Sequence, residues 1–193
     1  MISIKALEEK ILKEGQVLPG NILKVGSFLN QQIDTAFLKE MGKEIAHIFD
    51  GNVVNKILTV EASGIAIAVA AAFQIGVPVV FAKKGGAKNM SDDKICAEVK
   101  SFTKGAVNVI SVDREYIKEQ DKLLIIDDFL ADGNALRGLL SIAKEAGAEV
   151  IGACTAIEKG FQGGGDALRA EGIRVESLAI IDEMTDGKIR FRQ

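Results

Sequence analysis

The chain has 193 residues, nearly half of them apolar, and a formal net charge of −3; it is long enough for one domain with a substantial core, and its charge argues against nucleic acid as the main partner. Charged residues interrupt every apolar stretch short of bilayer-spanning length, the longest run (Ile65 to Ile75) being only helix-core length. No basic-then-apolar leader opens the chain, and Cys96 and Cys154 lack metal-ligand spacing. A cytoplasmic protein with reduced thiols and no membrane partner is expected.

Residues 3 to 14 place Ile4, Leu7, Ile11 and Leu12 on one helical face, and Gly15 ends that helix. From 17 to 31 the pattern predicts irregular structure, with Pro19-Gly20-Asn21 as turn chemistry. Leu23, Val25, Phe28 and Leu29 are apolar there without core periodicity, as either a packed connector or a cover over a ligand would be. From Asp34 to Phe49, Phe37, Leu38, Met41, Ile45, Ile48 and Phe49 define an amphipathic helix with Asp34 as N-cap. His47, the single histidine, falls on its polar side, so no histidine-based metal site or triad is available.

Asn55 to Val60 reads as a buried strand and Gly64 to Gln74 as the helix after it, joined by the small-residue turn Glu61-Ala62-Ser63-Gly64. Val77 to Ala82 is a second strand, ending at Lys83-Lys84. The stretch Gly85 to Lys104 shows little regular periodicity. Residues 83 to 104 hold six lysines (83, 84, 88, 94, 100 and 104) against Asp92, Asp93 and Glu98. A solvated face and a flexible cationic lid both fit that pattern, and the lid suits a neighbouring phosphate better. Val107 to Val112 is a further strand.

Leu123 to Ala135, LLIIDDFLADGNA, organises the chain. Leu123 to Ile126 is an apolar run of strand length, buried on both faces. Asp127 and Asp128 close it, the turn Ala131-Asp132-Gly133-Asn134 follows, and a helix begins at Asn134 or Ala135. Such a turn at a helix N-terminus gathers backbone N–H groups into an anion site. The two carboxylates beside it cannot hold a phosphate but can accept hydrogen bonds from hydroxyls. A ribose 5-phosphate carries both groups. Two such turns in one parallel sheet suit a ligand with phosphates at both ends, because the strands deliver their C-terminal turns to one edge.

Downstream, Leu136, Leu139, Leu140 and Ala143 have helical core spacing, and Val150 to Ile157 is a buried strand leading to Glu158-Lys159. Gly163 to Gly165 lacks the context of a dinucleotide loop and reads as a flexible turn. Gly172 to Ile181 is a late strand, and Lys188 to Phe191 an edge segment.

The strand–acid pair–turn order resembles the 5-phosphoribosyl diphosphate (PRPP) signature of the type I phosphoribosyltransferases. LKVGSFLNQQID (23 to 34), VEASGIAIA (60 to 68), GVPVVFAKK (76 to 84), SFTK (101 to 104) and AIEKGFQ (156 to 162) resemble the bacterial xanthine branch of that family. The resemblance implies an α/β fold: a central, mostly parallel sheet flanked by helices, with a flexible lid. It implies one domain over 1–193, whose residues 1–33 and C-terminal segments form a small hood. The implied activity is purine salvage: xanthine and PRPP give xanthosine 5′-monophosphate and pyrophosphate. Guanine/hypoxanthine transfer and a PRPP-sensing regulator of the same fold are the alternatives.

By the same resemblance, Asp127 and Asp128 are the catalytic pair, and Ala131, Asp132, Gly133, Asn134 and Ala135 hold the 5′-phosphate. Ala62, Ser63 and Gly64, with Lys83 and Lys84, take the pyrophosphate. Leu23, Asn30 and Lys159 face the base; Lys159 follows a buried strand, where an ammonium can donate to a purine oxygen, although a surface lysine would look the same in sequence. Mg²⁺ bound with PRPP or pyrophosphate is the implied cofactor, with no direct protein ligand assigned, and a homodimer is the implied assembly. Asp132 departs from the pattern, since most members carry Thr there and the xanthine enzymes commonly Asn. Its side chain is expected close to the anion site of its own turn.

Overall fold

The computed structural model describes residues 4–85, 93–100, 107–185 and 188–193. In chain order the elements are α1 (Ile4–Glu14), β1 (Gln16–Leu18), β2 (Ile22–Lys24), a π-helical turn (Gly26–Asn30), α2 (Thr35–Ile48), β3 (Lys56–Val60), α3 (Ser63–Ile75), β4 (Val79–Lys84), β5 (Lys94–Lys100) and β6 (Val107–Asp113). Then come β7 (Lys122–Leu130), α4 (Asn134–Ala146), β8 (Glu149–Lys159), a 3-10 turn (Gly160–Gln162), α5 (Gly164–Ala170), β9 (Val175–Thr185) and β10 (Lys188–Phe191).

Eight strands form one sheet in the order β10-β9-β8-β7-β3-β4-β6-β5. The central five, β9 to β4, run parallel, and β6, β5 and β10 add antiparallel edges. β7 lies at the centre because its apolar run satisfies both faces. Leu124 and Ile126 enter a core with α1, α2 and α3, whereas Leu123 and Ile125 enter a second core with α4. That is the two-residue period of a pleated strand. The parallel order brings the turns after β3, β7 and β8 to one edge.

Four expectations need correction. Residues 17–31 are ordered rather than irregular: β1 and β2 form a hairpin in which Leu18 faces Ile22. Gly20 and Asn21 turn the chain with φ of 81° and 61°. Strands of three residues are too short to show a period. Leu23, Val25, Phe28 and Leu29 follow the packed-connector reading, buried with Leu7, Ile11 and Met41, whereas Leu12, placed on the apolar face of α1, is 59% exposed. The stretch 85–104 contains β5, an edge strand paired along β6. Its alternation (Ile95 and Ala97 buried, Cys96 and Glu98 exposed) is masked in sequence by small residues and flanking breakers. Residues 86–92 and 101–104 of that stretch, including Lys88 and Lys104, lie outside the described residues. Finally, Gly163 to Gly165 is no flexible turn: Gly164 and Gly165 are buried and open α5. Asp34 caps α2 as expected, accepting a hydrogen bond from Phe37 N at 3.0 Å, and His47 is exposed.

Candidate active site

The turns after β3 and β7 face each other across a cleft of ≈ 320 Å³. It is lined by Ala62, Ser63 and Gly64, by Asp127 and Asp128, by Lys84, and by Ala131 to Ala135. The two turns come from segments more than sixty positions apart in sequence. Glu61 fixes the first turn: its Oε1 accepts a hydrogen bond from Lys84 N at 2.6 Å, tying the turn to the end of β4. The Glu61–Ala62 peptide is cis. At Gly64 a Cβ would overlap the Thr59 hydroxyl and stand 3.0 Å from Asp127 Oδ1, so only glycine lets α3 begin this close to the acidic pair.

Asp127 is 5% exposed. Burial, and then the charge of Asp128, hold its carboxyl well above the usual carboxylate range, although the Asp128 N–H donates to its Oδ1 at 2.9 Å and Lys84 pulls the other way. A carboxyl so placed is a ready acceptor once a cation or hydroxyl arrives to stabilise its charge. In the second turn, Gly133 has φ 84°, left-handed backbone that suits glycine, and α4 starts at Asn134. Asp132 folds back onto that start: Oδ1 accepts from Asn134 N at 3.1 Å and Oδ2 from Asn134 Nδ2 at 2.7 Å. It therefore ties down the first residue of α4 from just outside the N-cap, Gly133, and lines the cleft at once.

Other sequence-assigned residues stand apart from the cleft lining. Lys83, next to Lys84 on β4, points to the alternate side and lines a separate depression with Phe81, Ser111 and Tyr116. Leu23 is 6% exposed on β2, and Asn30 is exposed at the end of the π-helical turn. Lys159, at the end of β8, donates from Nζ to Asn21 O at 2.7 Å, joining the hairpin to the sheet edge. Its ammonium lies 5.6 Å from the centroid of the Phe129 ring, which itself lines the cleft, and burial lowers its pKa. The cleft also has walls that no motif announced, Val99 from β5 and Asn108 and Ile110 from β6, beside Phe129 of the organising stretch. Only the antiparallel edge strands bring the first three here, and nothing local in sequence marks that pairing. Among the described residues, no group of three or more His, Cys, Asp or Glu could hold a metal ion.

A family model described as "Phosphoribosyl transferase domain" matches residues 30–167. The chain belongs to the phosphoribosyltransferase family. Within it, a xanthine phosphoribosyltransferase of Alkaliphilus metalliredigens is 53% identical over 189 residues, covering 98% of this chain and 94% of the relative. Another from Bacillus cereus is 50% identical, covering 98% and 96%. Among solved structures, the adenine phosphoribosyltransferase of Giardia lamblia complexed with 9-deazaadenine superposes with a TM-score of 0.77 at 17% identity, covering 95% of this chain and all of that one. That of Thermoanaerobacter pseudethanolicus gives 0.74 at 19% identity, covering 90% and 98%. At such identities the likeness is one of fold. No helix among the described residues is long and apolar enough to cross a membrane.

Proposed function

We propose that this chain transfers the 5-phosphoribosyl group of PRPP to xanthine, forming xanthosine 5′-monophosphate and pyrophosphate in purine salvage. The observation that carries the reaction is the single cleft in which two small-residue turns flank Asp127 and Asp128. The choice of xanthine rests on relatives about half identical over 98% of the chain. PRPP-dependent nucleotide formation, assayed against xanthine, guanine, hypoxanthine and adenine, tests both. Preference for adenine would overturn the base assignment, and no transfer with any base would overturn the reaction.

Breaking the anomeric C–O bond develops positive charge on the ribosyl group and negative charge on the departing pyrophosphate. The site's work is then positioning and charge stabilisation rather than strong base chemistry. The backbone N–H groups of Ala131 to Ala135 hold the 5′-phosphate, and Asp127 and Asp128 accept from the ribose hydroxyls. Ala62, Ser63 and Gly64, with Lys84, take the pyrophosphate. Lys83 remains assigned to the same anion, although its neighbours are those of the adjoining depression.

Mg²⁺ fits an adjacent pair of carboxylates that lacks a third protein ligand, since that ion commonly binds one or two carboxylates together with substrate phosphates. Bound with PRPP, it would offset the charge of the leaving group, and Asp127 and Asp128 would face it. Leu23 and Asn30, on a hood of residues 1–33 and C-terminal segments, bound the base, and the Lys159 ammonium donates to a purine oxygen. Adenine has no oxygen at that position to accept from it. Residues 85 to 104 cover the cleft during turnover and limit hydrolysis of the ribosyl cation. The protein works in the cytoplasm and as a homodimer, the assembly being supported by apolar side chains on α3 (Phe73 81% and Val69 37% exposed).

A further inference from the structure

Glu158, one residue before Lys159 on β8, is a carboxylate with no exposed surface. It is fully partnered. Arg169 donates from Nη1 to its Oε1 at 2.9 Å and from Nη2 to its Oε2 at 2.6 Å, and Ser177 Oγ donates to Oε2 at 2.6 Å. Buried ion pairs are weak sources of stability, because desolvation offsets much of their attraction. Their fixed fork geometry makes them better at holding one element against another. What this pair holds is α5, which carries Arg169 and whose far end is pinned by Arg169 Nε donating to Val175 O at 3.0 Å. Arg192 adds a second tie, bonding Asp166 on α5 at 2.9 and 3.2 Å and Asp182 on β9 at 3.0 Å. That tie is more exposed and correspondingly weaker.

The other face of α5 meets the turn after β7. Gly164 N donates to Ala131 O at 3.2 Å. A Cβ on Gly164 would overlap the Ala131 carbonyl, the Asp132 carbonyl carbon and the Gly133 nitrogen, and one on Gly165 would overlap the Glu158 carboxylate. The two glycines thus let α5 lie with backbone against backbone on one side and backbone against the ion pair on the other. Leu168, fully buried, closes the gap: its Cδ1 is 3.4 Å from where a Gly133 Cβ would stand.

We propose that Glu158 and Arg169 are positioning residues for the turn Ala131–Asn134, acting through α5 and its Gly164 edge. The N–H groups of that turn converge on an anion only while its backbone keeps one conformation, and the Gly164 backbone is pressed directly against it. Release of α5 lets the turn relax, and displacement of such donors by about 1 Å costs on the order of 100-fold. The effect falls on one end of the substrate, because the turn after β3 is held separately through Glu61 and Lys84.

The inference rests on the phosphoribosyl-transfer reading, and its test separates the two. Ribose 5-phosphate and inorganic pyrophosphate are titrated calorimetrically against the unaltered protein, Gly164→Ala, Arg169→Lys and Glu158→Gln, each checked by circular dichroism for native fold. Every variant that folds is expected to bind ribose 5-phosphate about 10- to 100-fold more weakly while its pyrophosphate affinity stays within about twofold. In turnover, the KM for PRPP rises and the KM for xanthine does not. Equal loss for both anions, or no loss for either, overturns the positioning role. Should Gly164→Ala fail to fold, Arg169→Lys, which keeps the charge and loses the fork together with the Nε bond to Val175 O, decides the matter alone. Failure of the unaltered protein to bind ribose 5-phosphate would sink the functional reading itself.

Discussion

Asp127 shows how one buried carboxyl ties stability to pH. Burial and Asp128 raise its folded pKa above the unfolded value of about 4, so the folded chain holds a proton that the unfolded chain has released. This contribution to stability is complete below the unfolded pKa and is lost as pH rises through the folded one. Asp127→Asn should therefore melt at a higher temperature than the native protein at pH 8, with the difference shrinking towards pH 4, while transfer activity drops. Melting curves across that range check it, and a pH-independent difference would contradict the raised pKa. Asp132 is the residue where the tie to α4 and the anion site coincide. In water-like surroundings a carboxylate about 4 Å from a phosphate costs roughly 1 kcal/mol per charge pair, and Asn keeps one of the two acceptor oxygens that bond Asn134. Asp132→Asn should tighten PRPP about fivefold with a small fall in melting temperature from the lost Asn134 side-chain bond. Weaker binding would mean that this carboxylate serves Mg²⁺ or a ligand hydroxyl. At Lys159, loss of a charge-assisted hydrogen bond of roughly 1.5–3 kcal/mol should lower kcat/KM for xanthine about ten- to a hundredfold in Lys159→Ala, leaving PRPP affinity nearly constant. Unchanged xanthine kinetics would remove Lys159 from the base site.

At the scale of elements, what could be read in advance depended on where the information lay. β7, its acidic pair and the turn into α4 are written in consecutive residues, so their order alone announced them. The Asp34 cap of α2 was likewise local. β1 and β2 were missed because a hairpin of three-residue strands has no room for a period, and β5 because Cys96 and Ala97 blur its alternation. Lys83 and Lys84 could not be told apart without the pleat that sends neighbours to opposite sides. The covering role of residues 85 to 104 has a direct test. Trypsin should cut between Lys84 and Lys104 faster in the free protein than with PRPP and Mg²⁺ present. The paired strand β5 makes slow cutting at Lys94 the expected baseline in both states. Equal rates at every site in the two states would dismiss a substrate-gated cover.

For the whole molecule, α3 joins the cleft to a distant surface. Its N-terminal residues Ser63 and Gly64 line the cleft, while Val69 and Phe73, one and a half to three turns on, border an apolar depression with Leu38, Ala66 and Ala70. An aromatic ring 81% exposed on such a face suits a second copy of the chain. Phe73→Asp should shift the protein from dimer towards monomer in sedimentation velocity at micromolar concentration. An unchanged sedimentation coefficient in Phe73→Asp, with the native protein dimeric, would move the interface elsewhere.

Because Leu123 and Ile125 fill one core while Leu124 and Ile126 fill the other, β7 counts in twos. A single residue inserted between Leu124 and Asp127 would hand each core its neighbour's side chains and exchange the buried carboxylate for the half-buried one. Two inserted residues would restore the parity while lengthening the reach to the phosphate turn. A single insertion in that strand should accordingly cost folding or transfer unless a bulge absorbs it, as the ladder with β8 absorbs one residue beside Leu123 and Leu124, so the spacing from core to acid pair behaves as a reading frame written in geometry.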